Sequence, residues 1–202
     1  YATRQLAAGV LAEHGRVDVL INNAGLGHIG LFEKVSEAHL DALLGVNIVG
    51  LTVLTRAVLP CMIEQGRGAI LNISSGFGLI WMPFFSVYVA SKHYVTGFTE
   101  SLRSELKGTG VTVCQACPGP IATDFESSAG SPLKKDAPLP IRLSAEAAAR
   151  SIIRKFEGDS PIFVPGFLAW IAISLGRLVP RPINRLVYRL ISGRARAYLK
   201  PE

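Results

Sequence analysis

The sequence predicts an α/β fold, a doubly wound parallel sheet with helices on both faces. Three observations carry this. Short apolar runs alternate with helical stretches of ten or more residues. The runs are apolar throughout rather than alternating, as strands buried on both faces are. The composition, 49% hydrophobic and 18% charged over 202 residues, suffices for one domain with a substantial core.

The elements follow in order. Residues 1–14 form a helix with Leu6, Val10 and Leu11 on one face, closed by Gly15. Asp18-Val19-Leu20-Ile21-Asn22 is a buried strand. Ser36 N-caps a long helix running to about Met62. Ala69 to Ile73 is a second buried strand. A helix from near Ser86 to Leu106 comes next, broken by Gly108 and Gly110, and Gly110 to Ala116 is a third strand. Residues 119–143, with Gly, Pro, Ser and the pair Lys134-Lys135, read as a mobile excursion. Ser144 caps a helix from Ala145 to Phe156, and Pro161 to Val164 is a fourth strand.

Composition narrows the class further. No run reaches the roughly eighteen uninterrupted apolar residues of a membrane span. The start, Tyr1-Ala2-Thr3-Arg4, has neither a signal-peptide layout nor an initiator Met, a hint that the chain begins mid-protein. Cys61, Cys114 and Cys117 make no disulfide framework, which points to a reducing, cytoplasmic setting. Cys114 and Cys117 form a C-x-x-C at the end of an apolar run, where they read as small buried residues rather than a redox or metal pair. His14, His28, His39 and His93 show no metal spacing, so no metal is expected. The net charge of +6 belongs to the tail: from Ser160 onward there are seven basic residues and one acid, Glu202. That concentration argues against a nucleic-acid-binding face.

Gly25-Leu26-Gly27-His28-Ile29-Gly30 fits G-x-G-x-x-G after a strand. A dinucleotide fingerprint must open directly into a helix, whose N-terminus holds the pyrophosphate. Here the helix starts about six residues later, and the acid expected ~20 residues on is missing. The match is a decoy.

Tyr88-Val89-Ala90-Ser91-Lys92 places a phenol and an ammonium on one helix face. An ammonium at ~4 Å and an effective dielectric of about 20 contributes about 4 kcal/mol, or roughly three pKa units. That would bring a phenol from about 10 towards 7, where it exchanges protons efficiently. Ser75 lies at the carboxyl end of a buried strand, where ligands of open parallel sheets bind. Asn22 and Asn23 end the preceding strand with two amides, and Asn47 interrupts an apolar helix, where a buried amide needs partners or marks a kink. Pro118-Gly119-Pro120 follows the third strand, with Thr123 close behind.

With these motifs in register, the sequence resembles the short-chain dehydrogenase/reductase family from the helix before Asn22 to Val164. The resemblance implies a Rossmann-like sheet and an NAD or NADP cofactor. Asn22-Asn23-Ala24-Gly25 resembles the family's motif beside the adenine ribose, so Asn23, Ala24 and Gly25 are cofactor candidates. Asn47, Ser75, Tyr88 and Lys92 have the order and spacing of its catalytic tetrad. Pro118, Gly119, Ile121 and Thr123 resemble the segment touching the nicotinamide. By that resemblance Tyr88 is the acid/base and also a cofactor contact, Lys92 lowers its pKa and binds the ribose, Ser75 holds the substrate oxygen, and Asn47 holds a water linking Lys92 to solvent.

The resemblance also implies an opening that this sequence does not contain, including a T-G-x-x-x-G-x-G turn and roughly 50–70 residues at ~30 per βαβ unit. Residues 1–166 therefore read as an incomplete catalytic domain, with 121–143 as its substrate lid. The strand at residues 18–22 would lack a neighbour, and an exposed apolar edge aggregates or recruits a partner. The 202 residues as written are expected to bind a dinucleotide poorly.

Phe77, Leu79, Ile80, Trp81, Met82, Phe84 and Phe85 lie between Ser75 and Tyr88. So apolar a run suggests a hydrophobic ketone or alcohol substrate, although a dimer contact or ordinary core would use the same residues. A homo-oligomer is expected. The alternatives are a 3-oxoacyl-thioester reductase and a catalytically silent scaffold on the same fold. Residues 167–202 form a separate extension, apolar and then basic and amphipathic. Ile183, Leu186, Val187, Leu190 and Ile191 recur with helical period beside Arg181, Arg185 and Arg189. Such a helix can lie peripherally on an anionic membrane, pack on its own domain, or meet a second subunit.

Overall fold

The structure, a computed structural model, describes residues 2–130 and 140–198, with side chains described as far as residue 193. Four strands form one parallel sheet in the order β1 (Val19–Asn22), β2 (Gly68–Ile73), β3 (Val111–Ala116) and β6 (Ile162–Phe163). Helix α1 (Ala2–His14) precedes β1. Between β1 and β2 run α2 (Glu37–Leu44) and α3 (Leu51–Glu64), and α4 (Ser86–Glu105) links β2 to β3. The excursion after β3 holds β4 (Ile121–Ala122), α5 (Phe125–Ser128) and β5 (Leu143–Ser144), before α6 (Ala145–Glu157). After β6 come α7 (Phe167–Leu178) and α8 (Arg181–Tyr198).

Two apolar clusters hold the layers. On one face, Val58 and Met62 of α3 and Leu102 of α4 close over Ile70, Val111 and Val113. On the other, Ile152 and Phe156 of α6 pack on Leu71, Cys114, Ala116 and Phe163. The sheet is thus wound on both sides, with one correction at β1. Val19 and Ile21 pair in register with Ala69 and Leu71, on the α6 side, yet are 49% and 54% exposed. No described helix reaches them there, so this strand is covered on one face only. Leu6 is likewise exposed, and Ala7 is the residue α1 buries.

The excursion is more regular than its composition suggests. Ile121 and Ala122 pair in parallel with Leu143 and Ser144, and α5 lies between them. Residues 131–139 of the expected lid, including Lys134 and Lys135, lie outside the described residues. Ser144 caps α6 by accepting the Ala147 N–H at 3.2 Å.

The long helix capped by Ser36 is continuous from Glu37 to Glu64 but not uniform. Residues Gly45–Gly50 form a π turn, a widening of the helix that recurs at functional sites. By length and composition alone this helix could cross a membrane. Here Leu43, Asn47, Leu51, Thr55, Val58 and Met62 are its buried row, the arrangement of a helix packed on a sheet.

Candidate active site

The carboxyl ends of β1, β2 and β3 carry polar side chains in register: Asn22 opposite Asn72, and Asn72 opposite Gln115. Asn22 Nδ2 donates to Asn72 Oδ1 at 2.8 Å and to Thr55 Oγ1 at 3.1 Å. Asn72 Nδ2 passes the chain on to Thr99 Oγ1 at 2.9 Å. All four groups are buried, so each needs the partners it has. This ladder ties the sheet to α3 and α4 beneath the site. Sequence reasoning missed Asn72, Thr55 and Thr99; the available signal was an amide at the same depth in consecutive apolar strands.

Asn47 sits in the π turn, 2% exposed, and its amide is committed on every side. Oδ1 accepts the Leu26 N–H at 2.8 Å, while Nδ2 donates to the Leu26 carbonyl at 2.9 Å and to Ser91 Oγ at 2.9 Å. The side chain therefore clamps the loop after β1. With both amide protons spent, only its remaining acceptor sites could hold the expected water.

That clamp positions Gly25. A Cβ there would lie 3.4 Å from Lys92 Nζ and 3.6 Å from Asn47 Oδ1, so the Gly25 backbone lies beside both side chains. The G-x-G-x-x-G stretch forms no helix start, as expected. Its Gly27 instead makes room for the lid, since a Cβ would meet Ala129 Cβ and Phe125 Cζ at 2.8 Å.

Tyr88 and Lys92 occupy successive turns of α4 and both are buried. Ser75 ends the extension of β2, and its hydroxyl accepts the Phe77 N–H at 3.1 Å, leaving its proton for the phenol or a substrate oxygen. The Gly76 N–H to Pro118 carbonyl bond, at 2.8 Å, holds the turns after β2 and β3 together. Pro118 and Gly119 thus lie beside Ser75. Ile121 and Thr123 sit on the lid, and Asn23 and Ala24 are exposed at the open edge of β1. There they line a shallow cavity of about 250 Å³ with Ile21, Val46 and Leu54. The structure therefore brings Asn47, Ser75, Tyr88, Lys92, Gly25, Pro118 and Gly119 together, with Asn23, Ala24, Ile121 and Thr123 around the rim.

The electrostatics depart from the expectation. Burial pushes the Tyr88 phenol up to about 12, against the opposing pull of its hydrogen bond with Ser75. Phe77 and Phe125 enclose the ring at centroid distances of 6.2 and 5.6 Å, leaving it 7% exposed. Lys92 does not bring the phenol towards neutrality here. Its Nζ lies 5.8 Å from the ring centroid and donates to the Ile73 carbonyl at 2.9 Å. Burial lowers the lysine itself to about 8. Desolvation outweighs a charge that is aimed elsewhere.

An ammonium has three N–H groups. Among the described residues no carboxylate pairs with Lys92, and Gly25 leaves open backbone beside it. Such a donor set suits a polyhydroxylated ligand, which is what a nicotinamide ribose offers, so the residues fit the implied cofactor. Metal chemistry finds no such donor set among the described residues.

The loop entering α4 is strained. Phe84 has φ +69°, a left-handed conformation uncommon for an aromatic residue. Its carbonyl accepts the Gly30 N–H at 2.9 Å, and the Ile29 N–H donates to Ala129 at 2.8 Å, so the β1 loop, the α4 entrance and the lid interlock over Tyr88. Buried Arg142 pairs with Glu126 and ties α5 to the segment before β5.

Cys114 and Cys117 are buried free thiols, as the apolar run implies.

Comparison with known proteins bears on the family and the fold. The short chain dehydrogenase family model matches residues 1–134. The chain is 39% identical over 124 residues to a 3-ketodihydrosphingosine reductase of Bacteroides thetaiotaomicron, covering 61% of this chain and 46% of that protein. It is 38% identical over 120 residues to a 3-oxoacyl-[acyl-carrier-protein] reductase of Thermotoga maritima, covering 59% of this chain and 49% of that one. The chain thus spans about half the length of these relatives. A short-chain dehydrogenase from Sphingobium yanoikuyae, solved in complex with NADPH, superposes with a TM-score of 0.74 at 27% identity, over 86% of this chain and 68% of that one. Fold, motifs and family model coincide, and the chain belongs to the short-chain dehydrogenase/reductase family of oxidoreductases.

Proposed function

We propose that the whole protein is an NAD(P)-dependent oxidoreductase that interconverts a hydrophobic ketone and its secondary alcohol, with Tyr88 as the acid/base. The observation that carries this is the grouping of the Tyr88 phenol, the Ser75 hydroxyl and the Lys92 ammonium at the carboxyl ends of the strands.

In the reduction direction, Tyr88 gives its proton to the carbonyl oxygen, and in oxidation it takes the proton of the alcohol. A phenol held near 12 is protonated at neutral pH, the form that reduction requires. Ser75 donates to the same oxygen, where negative charge develops. Lys92 supplies the positive charge that favours the phenolate once the proton has left, and its N–H groups would hold the nicotinamide ribose. Asn47 fixes the Gly25 loop against Lys92. Gly25, Asn23 and Ala24 on one side, and Pro118, Gly119, Ile121 and Thr123 on the other, would flank the dinucleotide, which supplies the hydride when bound. Phe125 and the lid exclude water from the phenol.

The apolar lining of Phe77, Phe85 and Phe125 supports a carbonyl carried on an aliphatic or polycyclic body. A 3-oxo group on a long chain fits the same description, and the names of the two relatives favour it as the second reading. The protein is further proposed to be a cytoplasmic homo-oligomer, with exposed Val49 and Tyr94 available for contact.

NADH or NADPH oxidation should be followed with ketones of increasing apolar size and with a 3-oxoacyl thioester. Turnover rising with apolar area supports the proposal, and turnover confined to the thioester selects the second reading. No turnover with any carbonyl, alongside intact ligand binding, would indicate a silent scaffold.

A further inference from the structure

Helix α8 is turned opposite to the usual amphipathic helix. The row facing its own domain is polar or aromatic: Asn184, Tyr188 and Ser192 are half-buried, and Tyr188 packs edge-on against Trp81 at 4.6 Å. The aliphatic row of Ile183, Leu186, Val187, Leu190 and Ile191 points outward. Helix α7 adds Phe167, Leu168, Trp170, Leu175 and Leu178 on its outer side, while its Ala169 and Ile173 face the domain. These ten large apolar side chains are each between 43% and 77% exposed. An apolar surface of that extent marks an interaction site.

Its charge selects the occupant. Arg177, Arg181, Arg185 and Arg189 lie on the same two helices, the sequence adds Arg194, Arg196 and Lys200, and no acid occurs between Asp159 and Glu202. A second copy of the chain packed face to face would bring together two such pairs of helices, each carrying arginines and no acid. An anionic bilayer supplies the missing negative charge and accepts the aliphatic row, while arginine stems reach back to the headgroups and an aromatic such as Trp170 suits the interfacial layer.

We propose that the outer face of α7 and α8 docks the protein on the surface of an anionic lipid bilayer, lying in the interface rather than crossing it. Docking would set the bilayer close to the catalytic turns. The inward row of α7 touches them, since a Cβ on Gly76 would fall 2.5 Å from Ile173 Cδ1 and one on Gly119 would fall 3.0 Å from Ala169 Cβ. One helix diameter, about 10 Å, would separate lipid from those turns.

Co-sedimentation with phosphatidylcholine vesicles, with and without phosphatidylserine, tests this on the whole protein. Wild type is expected to pellet with the anionic vesicles and to be released as salt rises. Replacing Arg181, Arg185 and Arg189 together by Gln should cut the partition about fivefold per arginine, on the order of a hundredfold in all. Leu186→Gln with Leu190→Gln should cut it about tenfold per leucine. Both variants should melt as wild type does, because the altered side chains are exposed. Binding that ignores phosphatidylserine, or that survives both sets of substitutions, overturns the proposal. So does self-association that the leucine substitutions abolish while vesicles capture nothing, which would assign the face to a second copy.

Discussion

Replacing Lys92 by Met should stabilise the protein while removing its activity. Lys92 is 4% exposed, and burial takes its pKa from 10.5 to about 8. That displacement corresponds to about 3 kcal/mol against folding wherever the lysine is charged in both states. The sign follows from proton counts. Below pH 8 the folded and unfolded chains are both protonated here, and the full penalty applies. Between pH 8 and 10.5 the unfolded chain binds more protons, so wild-type stability rises with pH and the penalty disappears. The methionine variant loses the hydrogen bond to the Ile73 carbonyl, about 1 kcal/mol. A net gain of about 2 kcal/mol at pH 7 remains. Urea denaturation of both proteins at pH 7 and again above pH 10 isolates this residue, because other titrations cancel in the difference. The variant should be the more stable at pH 7 and lose that advantage at the higher pH. A variant less stable than wild type at pH 7, or an advantage independent of pH, would refute the reasoning.

Other perturbations follow from the same geometry. Asn72→Ala removes the acceptor of Asn22 Nδ2 and the donor to Thr99, and should cost about 3 kcal/mol, a fall of roughly 6–12 °C in Tm; an unchanged melt would show the ladder to be dispensable. Phe125→Ala opens the Tyr88 ring to water and should lower its pKa from about 12 towards 10, read as tyrosinate absorbance against the same variant lacking Tyr88. In the native protein Cys61 alone of the three thiols should react with a disulfide reagent, because burial holds Cys114 at about 11 and Cys117 at about 12. All three should react in denaturant, and rapid native labelling of Cys117 would contradict its burial.

What the sequence made legible was local in character. The apolar runs gave the four strands, and the spacing of Tyr88 to Lys92 on one helix, with Ser75 at a strand end, gave the centre of the site. Asn47 stood out as an amide in an apolar helix, but nothing in its period revealed the π turn that aims it at Leu26. The pKa of Tyr88 was misjudged because four-residue spacing fixes which face two side chains share and not how dry that face is. Phe125, far along the chain, supplies much of that dryness. The ladder from Asn22 to Asn72 and Thr99 needs strand order as well as residue type. The aliphatic stripe of α8 was plain in the sequence, whereas the side it presents depends on the packing of Tyr188 against Trp81.

The central claim is that Tyr88 moves the proton. Tyr88→Phe removes one oxygen from a ring that keeps its contacts with Phe77 and Phe125. In the whole protein, turnover of the best ketone should fall between about a hundredfold and ten-thousandfold, with the melting temperature unchanged. A variant that turns over at the wild-type rate would contradict the account.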